Sequence, residues 1–300
     1  MGYARWNHDD WHYYVRRNVE KSIDEIFSTQ LDSDLDPSKI SFRESRDSEE
    51  NPLSTPIIVA VDQTGSMGFL AESLIREGLG TLVESIYERK PVTDPHIMCM
   101  ALGDAWYDRS PLQVTQFEAD IRIAEQLSKF YIEGNGGGNG FESYNLPWYF
   151  AATRTRCDAW LKRNKKGYLF TVGDEPPPPD LKASHVKTFL GGGLQHDLST
   201  ADLLKLTTKN WEVFHIIVEE GSYCRSKPQQ TKGDWNKLLG SRAICLADHK
   251  NLPELIVSIL HVAQGESPDE VAASWSGQTR TVILEALRGM CMPYLPILRG

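Results

Sequence analysis

The chain has 300 residues, of which 40% are hydrophobic and 24% are charged, a composition typical of a globular protein. Its formal net charge of −9 argues against an extended surface for nucleic acid, because binding phosphates draws on clustered lysine and arginine. Five cysteines without a C-x-x-C pair, no signal-peptide core and no run of membrane-spanning length predict a cytoplasmic protein without membrane contact.

The two ends of the chain differ in pattern from its centre. Residues 1–54 begin with a cluster of aromatic residues and a helical pattern, and they continue into an acidic, serine-rich linker. Residues 266–300 contain one further helical pattern and then two prolines near the end. We therefore expect an N-terminal arm (1–54), a central domain (55–265) and a C-terminal helical tail (266–300).

In the central domain, strand patterns alternate with helix patterns. The run 57–61 is rich in β-branched residues, which is typical of a strand buried on both faces. The next apolar residues recur at helical spacing and predict a helix. Further strands are predicted at 96–103, 112–117, 167–174, 211–220 and 242–248. Further helices are predicted at 118–133, 143–164, 201–210, 234–240 and 252–265.

This alternation predicts an α/β fold: a doubly wound, mostly parallel central sheet with helices on both faces. In such sheets, ligands bind beyond the carboxyl ends of the strands, where the strand order reverses. Acidic residues follow three of the predicted strands, at Asp62, Asp104 and Asp174. We expect their loops to meet at one edge of the sheet.

The sequence VAVDQTGSMG (59–68) follows the first central strand and carries the strongest functional pattern. It lacks the lysine of a phosphate-binding P-loop and the spacing of a nucleophile elbow. Asp62-Gln63-Thr64 also resembles the start of an aspartate-nucleophile phosphohydrolase motif, although Ser66 stands where that motif has threonine. Asp62, Thr64 and Ser66, whose side chains carry oxygens, could also simply cap the helix that follows.

A divalent cation fits this loop better. Asp62, Thr64 and Ser66 alternate along the chain, so their oxygens can face one point. One carboxylate and two hydroxyls leave coordination positions open, as is common for Mg²⁺. An open position allows a carboxylate from another protein to complete the coordination.

Four segments together resemble von Willebrand factor A-like domains that carry a metal-ion-dependent adhesion site. The first is DQTGSM after a buried strand, and the resemblance extends over residues 55–265. LGDAWYD (102–108) is similar to the second strand exit of intracellular members of that family. GGGNGFES (136–143) resembles their glycine-rich second loop, and TVGDEPP (171–177) resembles a later strand exit.

The resemblance implies a set of metal ligands. Asp62, Thr64 and Ser66 would supply the first loop, and Asp174 would supply a carboxylate through water. The glycine-rich loop lacks the family's threonine and would supply one further ligand, from Asn139, Glu142 or Ser143. The expected cation is Mg²⁺, with Mn²⁺ or Ca²⁺ as alternatives. Asp104 is either an acid that supports these ligands or a solvated loop residue.

The expected function is a non-catalytic, metal-dependent module that binds another protein through an acidic side chain of that partner. Two alternatives stay open. The first is a structural or assembly subunit of a larger intracellular or viral particle, suggested by the two ends. The second is a Mg²⁺-dependent phosphohydrolase, suggested by Asp62-Gln63-Thr64. The sequence identifies neither the partner nor the oligomeric state.

Overall fold

A computed structural model of the chain describes residues 5–18, 20–65, 67, 69–133 and 138–290. Its strands, in chain order, are β1 (Arg43–Ser45), β2 (Thr55–Asp62), β3 (Pro95–Leu102), β4 (Leu112–Val114), β5 (Thr155–Cys157), β6 (Gly167–Gly173), β7 (Asp180–Leu181), β8 (Leu198–Ser199), β9 (Trp211–Val218) and β10 (Ala243–Leu246).

The α-helices are α1 (His8–Asn18), α2 (Ile23–Ile26), α3 (Phe69–Ser73), α4 (Leu79–Arg89), α5 (Arg122–Leu127), α6 (Asn145–Thr153), α7 (Asp158–Arg163), α8 (Ala183–Leu190), α9 (Thr200–Thr207), α10 (Ser222–Ser226), α11 (Pro228–Leu239), α12 (Leu252–Ala263), α13 (Pro268–Ala273) and α14 (Gly277–Leu287). A π-helical turn, Leu74–Gly78, joins α3 to α4. Short 3₁₀ turns occur at Pro37–Lys39, Gly240–Arg242 and His249–Asn251.

Six strands form the central sheet in the order β10-β9-β6-β2-β3-β4. Every pairing in it is parallel except that of the short edge strand β4 with β3. After β2 the chain extends the sheet in one direction through β3 and β4, and from β6 it extends the sheet in the other. The predicted α/β fold with a mostly parallel sheet is confirmed, and the strand order reverses between β2 and β6.

Helices cover both faces of this sheet, and alternate residues of each central strand point to opposite faces. In β2, Ile57, Val59 and Val61 belong to the core cluster formed with α3, α4, α12 and α14. Ile58 and Ala60 belong to the core formed with α6, α8, α9 and α11. A strand that is buried on both faces in this way requires the continuous apolar run seen in the sequence.

Several helix predictions are wrong in extent. The helix expected over 234–240 begins six residues earlier, as α11 (Pro228–Leu239), and the tail expected to hold one helix holds α13 and α14. The helix expected over 143–164 is divided into α6 and α7 by β5, which pairs in parallel with β1 from the acidic N-terminal segment. Tertiary pairing overrides helical propensity here, because Thr155 and Arg156 find backbone partners outside their own segment. The helix expected over 118–133 contracts to α5, and Tyr131 forms a β-bridge with Ser28.

The described parts of both ends pack on the sheet's core. Trp11 in α1 is buried in the same cluster as α4 and α12, and Ile283 in α14 is also buried there. The divisions at residues 54 and 265 remain predictions. Within the described ranges, no helix is both long enough and apolar enough to span a membrane.

Candidate metal centre

The loop after β2 brings the first predicted ligands to the point where strand order reverses. Asp62 is the last residue of β2 and is fully buried. The backbone N–H and the hydroxyl of Thr64 both donate to Asp62 Oδ1, at 2.8 and 2.6 Å. Ser66, the third predicted residue of this loop, lies outside the described residues. Asp62 and Thr64 are therefore in contact, and their role as metal ligands remains a prediction.

Tyr144 holds the other oxygen of Asp62 and was not predicted from the sequence. Its hydroxyl donates to Asp62 Oδ2 at 3.1 Å, and it is fully buried. A side chain on Gly173, the last residue of β6, would overlap the Tyr144 ring and hydroxyl. The glycine at the end of β6 thus leaves room for the phenol beside Asp62.

Asp174 follows β6 and is fixed by the loop after β9. Its Oδ2 accepts hydrogen bonds from Tyr223 N at 2.8 Å and Cys224 N at 3.4 Å. Any side chain on Gly221 would overlap Asp174, so glycine is required for this close approach. Asp174 Oδ1 is buried and has no hydrogen-bond partner among the described residues.

The glycine-rich loop contributes three predicted residues with different surroundings. Asn139 donates its side-chain amide to Asp104 Oδ2 at 2.8 Å, and the Ser143 hydroxyl accepts from Ala105 N at 2.9 Å. Glu142 is buried, and its Oε2 lacks a hydrogen-bond partner among the described residues. Residues 134–137 of this loop lie outside the described ranges. Asn139 Oδ1 is likewise buried without a partner among the described residues, so two predicted residues of this loop each present an unsatisfied oxygen.

Asp104 and Asp108 shape the loop after β3. Asp104 is fully buried and accepts from Trp106 N at 2.9 Å, so its description as a solvated loop residue is wrong. Asp108 Oδ2 accepts from Asp104 N at 2.7 Å. These bonds hold a tight turn that leaves the neighbouring Trp106 and Tyr107 exposed, at 55% and 58%.

The surroundings of the carboxyl groups in this region disfavour their ionised form. Burial raises the pKa of Asp62 to about 7 against the opposing hydrogen bonds of Thr64, and the charge of Asp174 raises it further. Burial and the charges of Asp62 and Asp174 raise the pKa of Glu175 to about 8. For Glu142, burial and then the charge of Asp62 raise the pKa far above its ordinary value. A cation among these groups would offset both causes.

The carboxylate oxygens of Asp62, Glu142 and Asp174 lie too far apart for all three to contact one metal ion directly. Among the described residues, the one group of three or more His, Cys, Asp or Glu with ligand atoms within 4.8 Å of one another is Glu220, Asp248 and His249. Asp62, Glu142 and Asp174 therefore do not all approach to that distance. Asp108 and Glu175 lie within the segments LGDAWYD and TVGDEPP but were not predicted as site residues, and no sequence pattern distinguishes Tyr144.

Comparisons with known proteins are limited to structure. No protein-family model and no curated protein matches the sequence. The pilus adhesin SpaC from Lactobacillus rhamnosus GG, in its open conformation, is similar over 73% of this chain and 31% of the adhesin chain, with 10% identity and a TM-score of 0.47.

Two other solved structures are similar to a comparable extent. Proximal thread matrix protein 1 from the mussel byssus covers 70% of this chain with 11% identity and a TM-score of 0.44, over 47% of its own chain. A von Willebrand factor type A protein from Catenulispora acidiphila covers 71% with 14% identity and a TM-score of 0.39, over 43% of its own chain. This chain thus spans about a third to a half of each, and identities this low concern the fold alone.

Proposed function

We propose that this chain is a cytoplasmic, metal-dependent protein-interaction module. A divalent cation, Mg²⁺ or alternatively Mn²⁺ or Ca²⁺, would bind at the carboxyl ends of β2 and β6. A carboxylate from the partner protein would complete its coordination. The module would carry no catalytic activity of its own.

The observation that carries this proposal is the set of buried carboxylate oxygens without partners. Glu142 Oε2 and Asp174 Oδ1 lack hydrogen bonds among the described residues, and Asp62 lies beside them with a raised pKa. Burying carboxylates without a counter-charge costs free energy, and proteins ordinarily pair such groups or bind metal with them. Oxygen ligands of this kind suit Mg²⁺, Mn²⁺ and Ca²⁺.

Within the glycine-rich loop, Glu142 Oε2 and Asn139 Oδ1 are both buried and without a hydrogen-bond partner among the described residues, so either oxygen could ligate the cation. The Asn139 NH2 group donates to Asp104 and so orients the amide, and the Ser143 hydroxyl accepts a bond from Ala105 N. Asp62, Thr64 and Ser66 would hold the cation from the first loop. Asp174 would act through water, which is compatible with the wide spacing of the carboxylates and with the waters that Mg²⁺ retains.

The surface beside this centre supports a role in protein binding. Trp106 and Tyr107 are adjacent and more than half exposed, on a turn that Asp104 and Asp108 hold through backbone hydrogen bonds. Large aromatic residues in a fixed position are frequent anchors in protein interfaces. A partner that presents an acidic side chain to the cation could pack an apolar neighbour on this pair.

The phosphohydrolase alternative receives less support. An attacking carboxylate must reach the substrate, whereas Asp62 is fully buried with hydrogen bonds to both oxygens. The assembly alternative depends on ends that are free to bind, whereas Trp11 and Ile283 are buried in the common core.

The proposal can be tested by comparing the proteins that wild type and Asp62→Asn capture in Mg²⁺ and in chelator. Tagged full-length protein would be recovered from cells that express the chain naturally, in Mg²⁺ or in chelator. We expect a bound protein that is retained in Mg²⁺, released by chelator, and absent with Asp62→Asn. The matched control is Asp234→Asn, which changes a partly exposed aspartate paired with Lys237 on α11. Equal capture by wild type and Asp62→Asn would contradict the proposed function.

A further inference from the structure

A second group of metal-binding side chains lies at the same edge of the sheet, beside the loops after β9 and β10. Glu220 follows the end of β9, and Asp248 and His249 follow the end of β10. One ligand atom from each lies within 4.8 Å of the other two. All three residues are partly buried.

The imidazole of His249 is held in a fixed orientation. Its Nδ1 lies 2.8 Å from Glu220 Oε2, and its backbone N–H donates to the same oxygen at 2.7 Å. The ring also packs edge-on against Phe69 of α3, with the centroids 4.5 Å apart. Asp248 Oδ1 accepts from Lys250 N at 3.0 Å, which fixes the carboxylate at the start of a 3₁₀ turn. The side chains are thus oriented before any ion binds.

We propose that Glu220, Asp248 and His249 form a binding site for a divalent transition-metal ion of the Zn²⁺ class. An imidazole nitrogen with two carboxylates suits Zn²⁺ and similar ions, whereas Mg²⁺ prefers oxygen ligands. The separation of Nδ1 and Oε2 matches a hydrogen bond, and it is also near the distance between adjacent ligands on one ion, which is about 3 Å for bonds of about 2 Å.

A second histidine–glutamate pair in the chain shows what an ordinary ion pair looks like. His261 Nδ1 contacts Glu266 Oε1 at 2.5 Å, and this pair belongs to no three-residue group among the described residues. His8 and His12 lie one turn apart on α1, with their Nε2 atoms 2.6 Å from each other. These two histidine sites supply matched controls for zinc binding outside the proposed site.

An ion at this site would connect three elements that surround the first centre. Glu220 is followed directly by Gly221, whose Cα lies against Asp174. His249 begins the turn that leads into α12, and Phe69 begins the helix after the Asp62 loop. Binding would therefore fix the start of α12 against the loop that holds Asp174.

The test is a calorimetric titration of Zn²⁺ into the chelator-treated full chain that carries Asp62→Asn. This background substitution removes a carboxylate of the first centre, so that Zn²⁺ binding there does not obscure binding at the second site. We expect one equivalent of Zn²⁺ to bind, and at least tenfold weaker binding when His249→Gln or Asp248→Asn is added. His261→Gln and His12→Gln should leave affinity and stoichiometry unchanged. Circular dichroism confirms that each variant is folded.

A second readout keeps the test decisive if one variant is poorly folded. Co²⁺ bound by imidazole and carboxylates has visible absorption bands, which should appear in the Asp62→Asn chain and disappear with Glu220→Gln. The proposal is overturned if the Asp62→Asn chain binds no Zn²⁺, or if binding survives His249→Gln. Loss of binding in His12→Gln would also overturn it, by moving the ion to α1. Mg²⁺ affinity of the His249→Gln chain should match wild type, which separates this site from the first centre.

Discussion

The two ends of β2 carry buried carboxylates in opposite electrostatic situations. Beside the segment that leads into β2, Asp158 accepts from Arg46 at 2.8 Å and from Asp47 N at 2.9 Å, and it pairs with Lys162 at 2.7 Å. Burial raises its pKa, but the hydrogen bonds of Lys162 and Arg46 outweigh burial and lower the value to about 2.

At the other end of the strand, Asp62 lies deeper in the protein than Asp158 and is surrounded by Glu142, Asp174 and Glu175. Its pKa rises to about 7, mainly through burial. Around Asp158, the positive charges of Arg46 and Lys162 neutralise the carboxylate, and a role in stability explains this group. The second group lacks such compensation, which is the expected signature of a site that binds a cation.

The largest expected effect is a Mg²⁺-sensitive pH dependence that comes from the Asp62 end. Raised pKa values mean that the folded state binds more protons than the unfolded state, so stability falls as pH rises from about 4 through about 7 and 8. In chelator, we expect the free energy of unfolding to fall by about 3 kcal/mol between pH 6 and pH 8. Urea denaturation at both pH values measures it.

Saturating Mg²⁺ should flatten this dependence, because the cation favours the ionised carboxylates. Asp158 itself should contribute nothing in this range. Its lowered pKa gives stability that is complete above about pH 4 and is lost only towards pH 2. A pH profile that is the same with Mg²⁺ and with chelator would remove the contrast between the two ends.

The next effect is a loss of stability from Asp158→Asn. This change removes the charge that Arg46 and Lys162 share, and we expect a cost of about 2 kcal/mol, typical of hydrogen bonds to charged groups. Urea denaturation should give the same cost in Mg²⁺ and in chelator. If the loss of unfolding free energy depended on Mg²⁺, the Asp158 cluster would be coupled to the cation, which would contradict a purely structural role.

Glu142→Gln should have the opposite sign in chelator. The raised pKa keeps Glu142 protonated in the metal-free folded protein, whereas the same side chain is ionised in the unfolded chain at neutral pH. Glutamine avoids this protonation cost, so we expect the variant to be more stable in chelator by about 1 kcal/mol or more. The same variant should bind Mg²⁺ about tenfold more weakly, because it loses a ligand charge. Denaturation in chelator and calorimetry with Mg²⁺ measure the two effects, and destabilisation in chelator would contradict the interpretation of Glu142.

The smallest expected effect belongs to Tyr144→Phe. The variant keeps the ring but removes the donor to Asp62 Oδ2, so we expect a loss of about 1 kcal/mol in the metal-free protein. Mg²⁺ affinity should fall severalfold, because Asp62 is less firmly oriented. An increase in affinity would mean that the phenol competes with the cation for Asp62.

Much of the fold was predictable because it follows from hydrophobic patterns. β2, β6 and β9 are continuous apolar runs, and their burial on both faces leaves little choice of structure. The division of the predicted helix over 143–164 was not predictable. β5 forms because β1, more than a hundred residues earlier, supplies its backbone partner.

The candidate centre was predictable at the strand exits, where Asp62, Asp104 and Asp174 were expected to converge and are all buried at the sheet's edge. Tyr144 could not be found in the same way, because its role depends on the space left by Gly173 on another strand. The predicted ligand set itself remains a prediction until a cation is tested.

The most direct test is a calorimetric titration of Mg²⁺ into chelator-treated wild type, Asp62→Asn and Asp158→Asn proteins. We predict one equivalent bound by wild type and by Asp158→Asn with equal affinity, and at least a hundredfold weaker binding by Asp62→Asn. Absence of binding to wild type, or undiminished binding to Asp62→Asn, would contradict the claim that the carboxyl end of β2 is a metal centre.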